Sequence, residues 1–93
     1  MKIGFIGCGN MGGAIARALR QSTKDIMISD RSGKAKALAA ELGIAYGTPA
    51  EVAAGCDRIF LGVKPHMMKG VLAPLQDILA QRKPLLITMA AGL

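Results

Sequence analysis

Short apolar runs alternate with helically spaced apolar positions from one end of the chain to the other. Ile3, Phe5 and Ile6 predict a first strand over residues 3–6. Behind it, Met11, Ala14, Ile15, Ala18 and Leu19 recur at helical spacing, with Arg17, Arg20 and Gln21 pointing away, which predicts a helix with that stripe inward. Residues 26–29 alternate and predict a second, half-buried strand. Ala35, Leu38, Ala39 and Leu42 form the next helical stripe, which stops at Gly43, a residue suited to the position after a helix end. Residues 44–46 predict a short third strand. Thr48-Pro49-Ala50-Glu51 reads as a capping box, with Thr48 as N-cap, Pro49 first and Glu51 third in a brief helix that ends near Gly55. Residues 57–63 predict a strong fourth strand with Arg58 at its solvent-facing entry. Met68, Val71, Leu72, Leu75, Ile78 and Leu79 carry a further stripe, but Pro74 lies within it. A proline interrupts an interior helix, so the segment is expected to kink or to split into two short helices. Residues 85–89 predict a fifth strand.

Strict alternation of strand and helix, joined by right-handed crossovers, implies an α/β fold with a doubly wound parallel sheet of five strands. The expected strand order is 3-2-1-4-5. In such sheets the ligand lies at the carboxyl ends of the strands where the winding reverses, here strands one and four. Three segments meet there: residues 7–12, 62–66 and 89–93. The first, Gly7-Cys8-Gly9-Asn10-Met11-Gly12, is G-x-G-x-x-G placed between a strand and a helix, the context in which the pattern signals dinucleotide binding. Gly7 suits the tight turn, Gly9 lets a pyrophosphate approach the backbone, and Gly12 lets the helix lie close to the strand. Free N–H groups at the helix start then face the phosphates.

Composition narrows the picture further. A chain of 93 residues is a single domain, residues 1–93. It is 52% hydrophobic but only 3% aromatic, so its core is aliphatic, as suits a parallel sheet covered on both faces. The apolar runs are too short to span a bilayer, and no signal-peptide pattern follows Lys2, so no membrane is expected and the compartment is the cytoplasm. The formal charge of +6 is scattered, Trp is absent, and the aromatics are Phe5, Tyr46 and Phe60. That pattern lacks the clustered cations and stacking residues of a nucleic-acid surface. Cys8 and Cys56 fall at opposite ends of neighbouring strands, beyond the reach of a disulfide. With no C-x-x-C and one His, the chain offers no metal site.

Three segments carry a resemblance: Gly-Phe-Ile-Gly-Cys-Gly-Asn-Met-Gly at 4–12, Gly-Val-Lys-Pro at 62–65 and Met-Ala-Ala-Gly at 89–92. In this order and spacing they resemble the N-terminal, Rossmann-type domain of pyrroline-5-carboxylate reductase. The resemblance implies NADPH-dependent reduction of 1-pyrroline-5-carboxylate to proline, by hydride transfer to the C=N carbon of a cyclic imine. It implies that Ile6, Gly7, Cys8, Gly9, Asn10 and Met11 hold the pyrophosphate. It also implies that Gly62, Val63, Lys64 and Pro65 line the nicotinamide side through their backbone, and that Ala90 and Ala91 close the floor beneath it. In that family an all-helical domain follows, which forms the homo-oligomer and carries much of the substrate site. This chain stops where that domain would begin. It is therefore expected to be inactive alone, to hold no assignable catalytic residue, and to self-associate through apolar surface on residues 67–79 and 89–93.

The 2′-position of the adenosine ribose divides the local residues. Asp30 ends the second strand, 18 residues after Gly12, where an acid commonly accepts from the ribose 2′-OH and repels a phosphate. Arg31, Ser32 and Lys34 can instead supply a guanidinium, a hydroxyl and an ammonium to a 2′-phosphate. The balance favours NADP, with NAD left open. Two other readings stay open as well. One is the N-terminal domain of a hydroxy-acid dehydrogenase, which also carries G-x-G-x-M-G but against which Val63-Lys64-Pro65 argues. The other is a stand-alone NAD(P)-binding or sensing module.

Overall fold

The computed structural model describes residues 1–89. Eleven elements follow one another: β1 (Ile3–Ile6), α1 (Gly9–Arg20), β2 (Ile26–Ser29), α2 (Gly33–Leu42), β3 (Ala45–Tyr46), α3 (Pro49–Gly55), β4 (Arg58–Leu61), α4 (Pro65–Leu72), a 3₁₀ turn (Ala73–Leu75), α5 (Gln76–Arg82) and β5 (Leu85–Thr88). The sheet order is β3-β2-β1-β4-β5 with every pair parallel, as the alternation predicted. In register, Ile6 stands beside Ser29 on one side and Leu61 on the other. The carboxyl ends of the three central strands therefore form one level rim.

Successive strand residues point to opposite faces, so each central strand feeds two cores. Phe5, Ile26 and Ile28 pack with Ala16, Ala35 and Ala39 under α1 and α2. Ile6, Ile59 and Leu61 pack with Val52, Ala53, Cys56 and Leu75 under α3 and the 3₁₀ turn. Phe5 stacks on Phe60 of the neighbouring strand, ring centroids 5.0 Å apart and planes 14° from parallel. β2 is therefore buried on both faces, not on one: Met27 packs on the second core while Ile26 and Ile28 serve the first.

The helix ends follow local chemistry. α2 begins at Ser32, whose hydroxyl accepts from the Lys34 N–H, and stops at Gly43 in the left-handed conformation, φ 68°. The capping box at α3 is complete: Thr48 Oγ1 accepts from the Glu51 N–H, and Glu51 returns an acceptor to the Thr48 N–H at 2.9 Å. That bond holds the Glu51 carboxyl below the usual carboxylate range. Pro74 splits the following helix at the 3₁₀ turn, as a proline without an N–H must.

Two further expectations needed correction. In α1 the inward face is Gly12, Ile15, Ala16 and Leu19, whereas Met11, Ala14 and Ala18 are exposed. The smallest residues take the closest approach to the sheet, which periodicity weighted by hydrophobicity overlooks. The apolar stripe after Pro65 is also less open than expected. Leu75 is buried, and Met68, Val71, Leu72, Ile78 and Leu79 pack against the second core. Met67 remains 38% exposed, β5 adds Leu85 at 56% and Leu86 at 39%, and residues 90–93 lie outside the described residues. Cys8 and Cys56 are both buried and free.

Candidate functional site

A cleft of about 1150 Å³ runs along the carboxyl rim of the sheet. The turn after β1 forms its centre. Gly7 and Gly9 both hold positive φ, 75° and 59°, which L side chains rarely adopt. A Cβ on Gly9 would meet nothing within 4 Å, so the backbone there faces open space. Gly7 is enclosed: its N–H donates to the Ser29 carbonyl at 2.7 Å, and a Cβ would stand 2.8 Å from Val63 Cγ1. Across the strand boundary, a Cβ on Gly62 would lie 2.3 Å from the Gly7 carbonyl oxygen. The turns after β1 and β4 are in backbone contact, which only glycine permits at that distance.

No side chain caps the start of α1, and its first turn carries no acidic residue. A helix start of this kind favours an anion through its N–H groups and its dipole. On the cleft's far side, Arg31, Ser32 and Lys34 stand exposed at the start of α2. Asp30 lies between the two turns. Its Oδ2 accepts from the Cys8 N–H at 2.6 Å and its Oδ1 from the Ser32 N–H at 3.0 Å. Burial, and secondarily the Asp30 charge, push the Cys8 thiol up, away from the reactive thiolate.

The cleft gathers Ile6, Gly7, Cys8, Gly9 and Asn10 with Asp30, Arg31, Ser32 and Lys34, and with Gly62, Val63 and Lys64. Met11, 60% exposed, borders a smaller pocket of about 170 Å³ between the Gly-rich turn and the loop after β4, with Met89 in its wall. Gly12 lies beneath the turn, where a Cβ would come 3.1 Å from Cys8 Sγ. Pro65 is the first residue of α4 and borders neither pocket. Ala90 and Ala91 lie outside the described residues. Sequence reasoning missed Tyr46, Gly47, Thr48 and Pro49, which form the cleft's third wall beyond β2. Their signal was topological: the order 3-2-1-4-5 places the end of β3 on the same rim. Arg17, exposed as expected, also borders the cleft and pairs with Glu41 of α2.

The family described as "NADP oxidoreductase coenzyme F420-dependent" matches residues 2–92. Pyrroline-5-carboxylate reductase from Escherichia coli K12 is 39% identical over 97 aligned positions, covering 98% of this chain and 36% of that protein. Among solved structures, a pyrroline-5-carboxylate reductase from Coxiella burnetii superposes with a TM-score of 0.86 at 32% identity, over 98% of this chain and 36% of the other. The Plasmodium falciparum pyrroline carboxylate reductase, solved with NADP bound, superposes with a TM-score of 0.76 at 28% identity, over 96% and 33%. The chain thus spans about a third of the length of these relatives.

Proposed function

Because the chain belongs to the family described as NADP oxidoreductase, coenzyme F420-dependent, we propose that it is the dinucleotide-binding part of an oxidoreductase that reduces 1-pyrroline-5-carboxylate to proline with NAD(P)H. The carrying observation is Gly9: a left-handed residue at an uncapped helix start, open on the side where a Cβ would project, in the middle of the cleft. That cradle fits a pyrophosphate held by backbone N–H groups. When bound, the dinucleotide supplies a hydride to the imine carbon. The chain's own residues bind and orient it. The turn over residues 6–11 receives the pyrophosphate, and the backbone over residues 62–64 borders the nicotinamide side.

NADPH is favoured over NADH, because Arg31, Ser32 and Lys34 place two cations and a hydroxyl at one rim of the cleft. Val63-Lys64-Pro65 and the identity to the reductases weigh against the hydroxy-acid dehydrogenase reading. No helix among the described residues is long and apolar enough to cross a membrane, and the proposed compartment is the cytoplasm. The exposed Leu85 and Leu86 are the proposed surface for self-association.

Gly9→Ala tests the reading. The added methyl meets nothing in the free protein, and its left-handed conformation costs about 1–2 kcal/mol, so the variant stays folded. NADPH affinity, followed by nucleotide fluorescence, is expected to fall about tenfold or more, on the scale of about 1.4 kcal/mol per decade. Equal affinity in both proteins, or no binding by the unaltered chain, overturns the proposal.

A further inference from the structure

Asp30 joins parts of the cleft that the chain keeps far apart. The Cys8 N–H that it accepts from is 22 residues away, at the residue just before α1, and the Ser32 N–H belongs to the next turn. The main-chain carbonyl of Asp30 also accepts from the Tyr46 hydroxyl at the end of β3. One residue therefore ties together the rims of β1, β2 and β3. These bonds join the one from the Gly7 N–H to the Ser29 carbonyl in anchoring the turn. Gly7 and Gly9 carry no side chain, and the Cys8 side chain makes no capping bond. A hydrogen bond to an ionised acceptor is about twice as strong as a neutral one, so the Asp30 carboxylate is suited to that task.

We propose that Asp30 is a positioning residue that fixes the pyrophosphate turn, setting how tightly any adenine dinucleotide is held rather than which one. The inference rests on the reading of the cleft as a dinucleotide site. Each carboxylate oxygen accepts from a backbone donor of the protein, one in each loop. Removing the carboxylate releases the turn, and binding must then order it at a cost in affinity. NADH and NADPH carry the same pyrophosphate, so they share that loss. A carboxylate acting on the ribose would split them instead: its removal would weaken NADH and improve NADPH.

The test uses ¹⁵N-labelled full chain as wild type, Asp30→Asn and Asp30→Ala, titrated with NADPH and with NADH. In the ligand-free state the Cys8 amide proton is expected downfield, moving upfield and exchanging faster in Asp30→Ala. Both dinucleotides are expected to weaken by about tenfold in Asp30→Ala, the size of a lost charged hydrogen bond, with their affinity ratio held within about twofold. Asp30→Asn retains one acceptor oxygen and is expected to lose less, again equally for both. It also carries the comparison should Asp30→Ala fail to fold. A shift of the ratio toward NADPH by about fivefold or more, or a Cys8 amide indifferent to the substitution, overturns the proposal. If the wild type binds neither dinucleotide, the reading of the cleft fails, while the amide comparison still decides whether the clamp exists.

Discussion

The two flanks of the sheet differ in how far the chain closes them. Around β1, β2 and β3, the loops are tied by backbone and side-chain hydrogen bonds: Gly7 to Ser29, Cys8 and Ser32 to Asp30, Tyr46 to Asp30. Around β4 and β5, backbone hydrogen bonds run from Gly62 to Ile6 and from Met89 to Leu61, and apolar side chains stay open. No residue of β5 is buried, and Leu85 and Leu86 face solvent. Preorganised polar groups suit a flank that recognises a charged, constant ligand part, because ordering costs are met in folding rather than in binding. An open apolar flank suits further packing, by another copy or by more chain. The difference teaches that the proposed adenosine and pyrophosphate side is tied by polar groups, while the described part of the β4–β5 side leaves apolar surface open.

The sharpest way to break that contrast is to look for turnover. Purified 93-residue protein, of confirmed mass, is expected to oxidise no NADPH at saturating 1-pyrroline-5-carboxylate. Much of such an enzyme's acceleration comes from holding the imine carbon about 3–3.5 Å from the hydride donor, and one open wall cannot do that. A rate near the median enzyme value of about 10 per second would mean that the β4–β5 flank is complete as it stands.

A smaller effect probes the seam between the flanks. Gly62→Ala would set a methyl 2.3 Å from the Gly7 carbonyl oxygen, forcing the two turns apart. The expected loss is about 2–3 kcal/mol of stability, read as a fall in Tm of about 10 °C or more at roughly 4–8 °C per kcal/mol. An unchanged Tm would show that the two turns move independently.

The smallest effect lies within the closed flank. Arg31→Ala is expected to weaken NADPH by about 1.5–3 kcal/mol, the scale of a hydrogen bond to a charged group, with little change for NADH and in stability. Equal losses for both cofactors would show that no 2′-phosphate is received there. Set against Asp30→Ala, expected to lower both affinities alike, this variant separates selecting a ligand from positioning a loop.

The pattern of apolar positions determined the element order and the parallel sheet, because βαβ crossovers leave few alternatives, and the Gly-rich turn after the first strand pointed to the 3-2-1-4-5 arrangement. It also determined the capping box at Thr48, the stop at Gly43 and the break at Pro74, since each depends on residues within one turn of the chain. The Gly-rich turn was legible for the same reason, its spacing being read between a strand and a helix. Other features came only with the tertiary structure. Which face of α1 lies inward depended on how closely Gly12 and Ala16 could approach the sheet, and hydrophobic spacing carries no measure of that distance. Tyr46, Gly47, Thr48 and Pro49 joined the cleft only through the position of β3 beyond β2. The role of Asp30 depended most on tertiary structure. In sequence it is an acid at the end of a strand, in the place of a ribose ligand. In the fold, parallel pairing in register sets the end of β2 beside the end of β1, so its carboxylate meets the Cys8 N–H from 22 residues away. A hydrogen bond between loops is decided by the strands that carry them, and no local pattern records it.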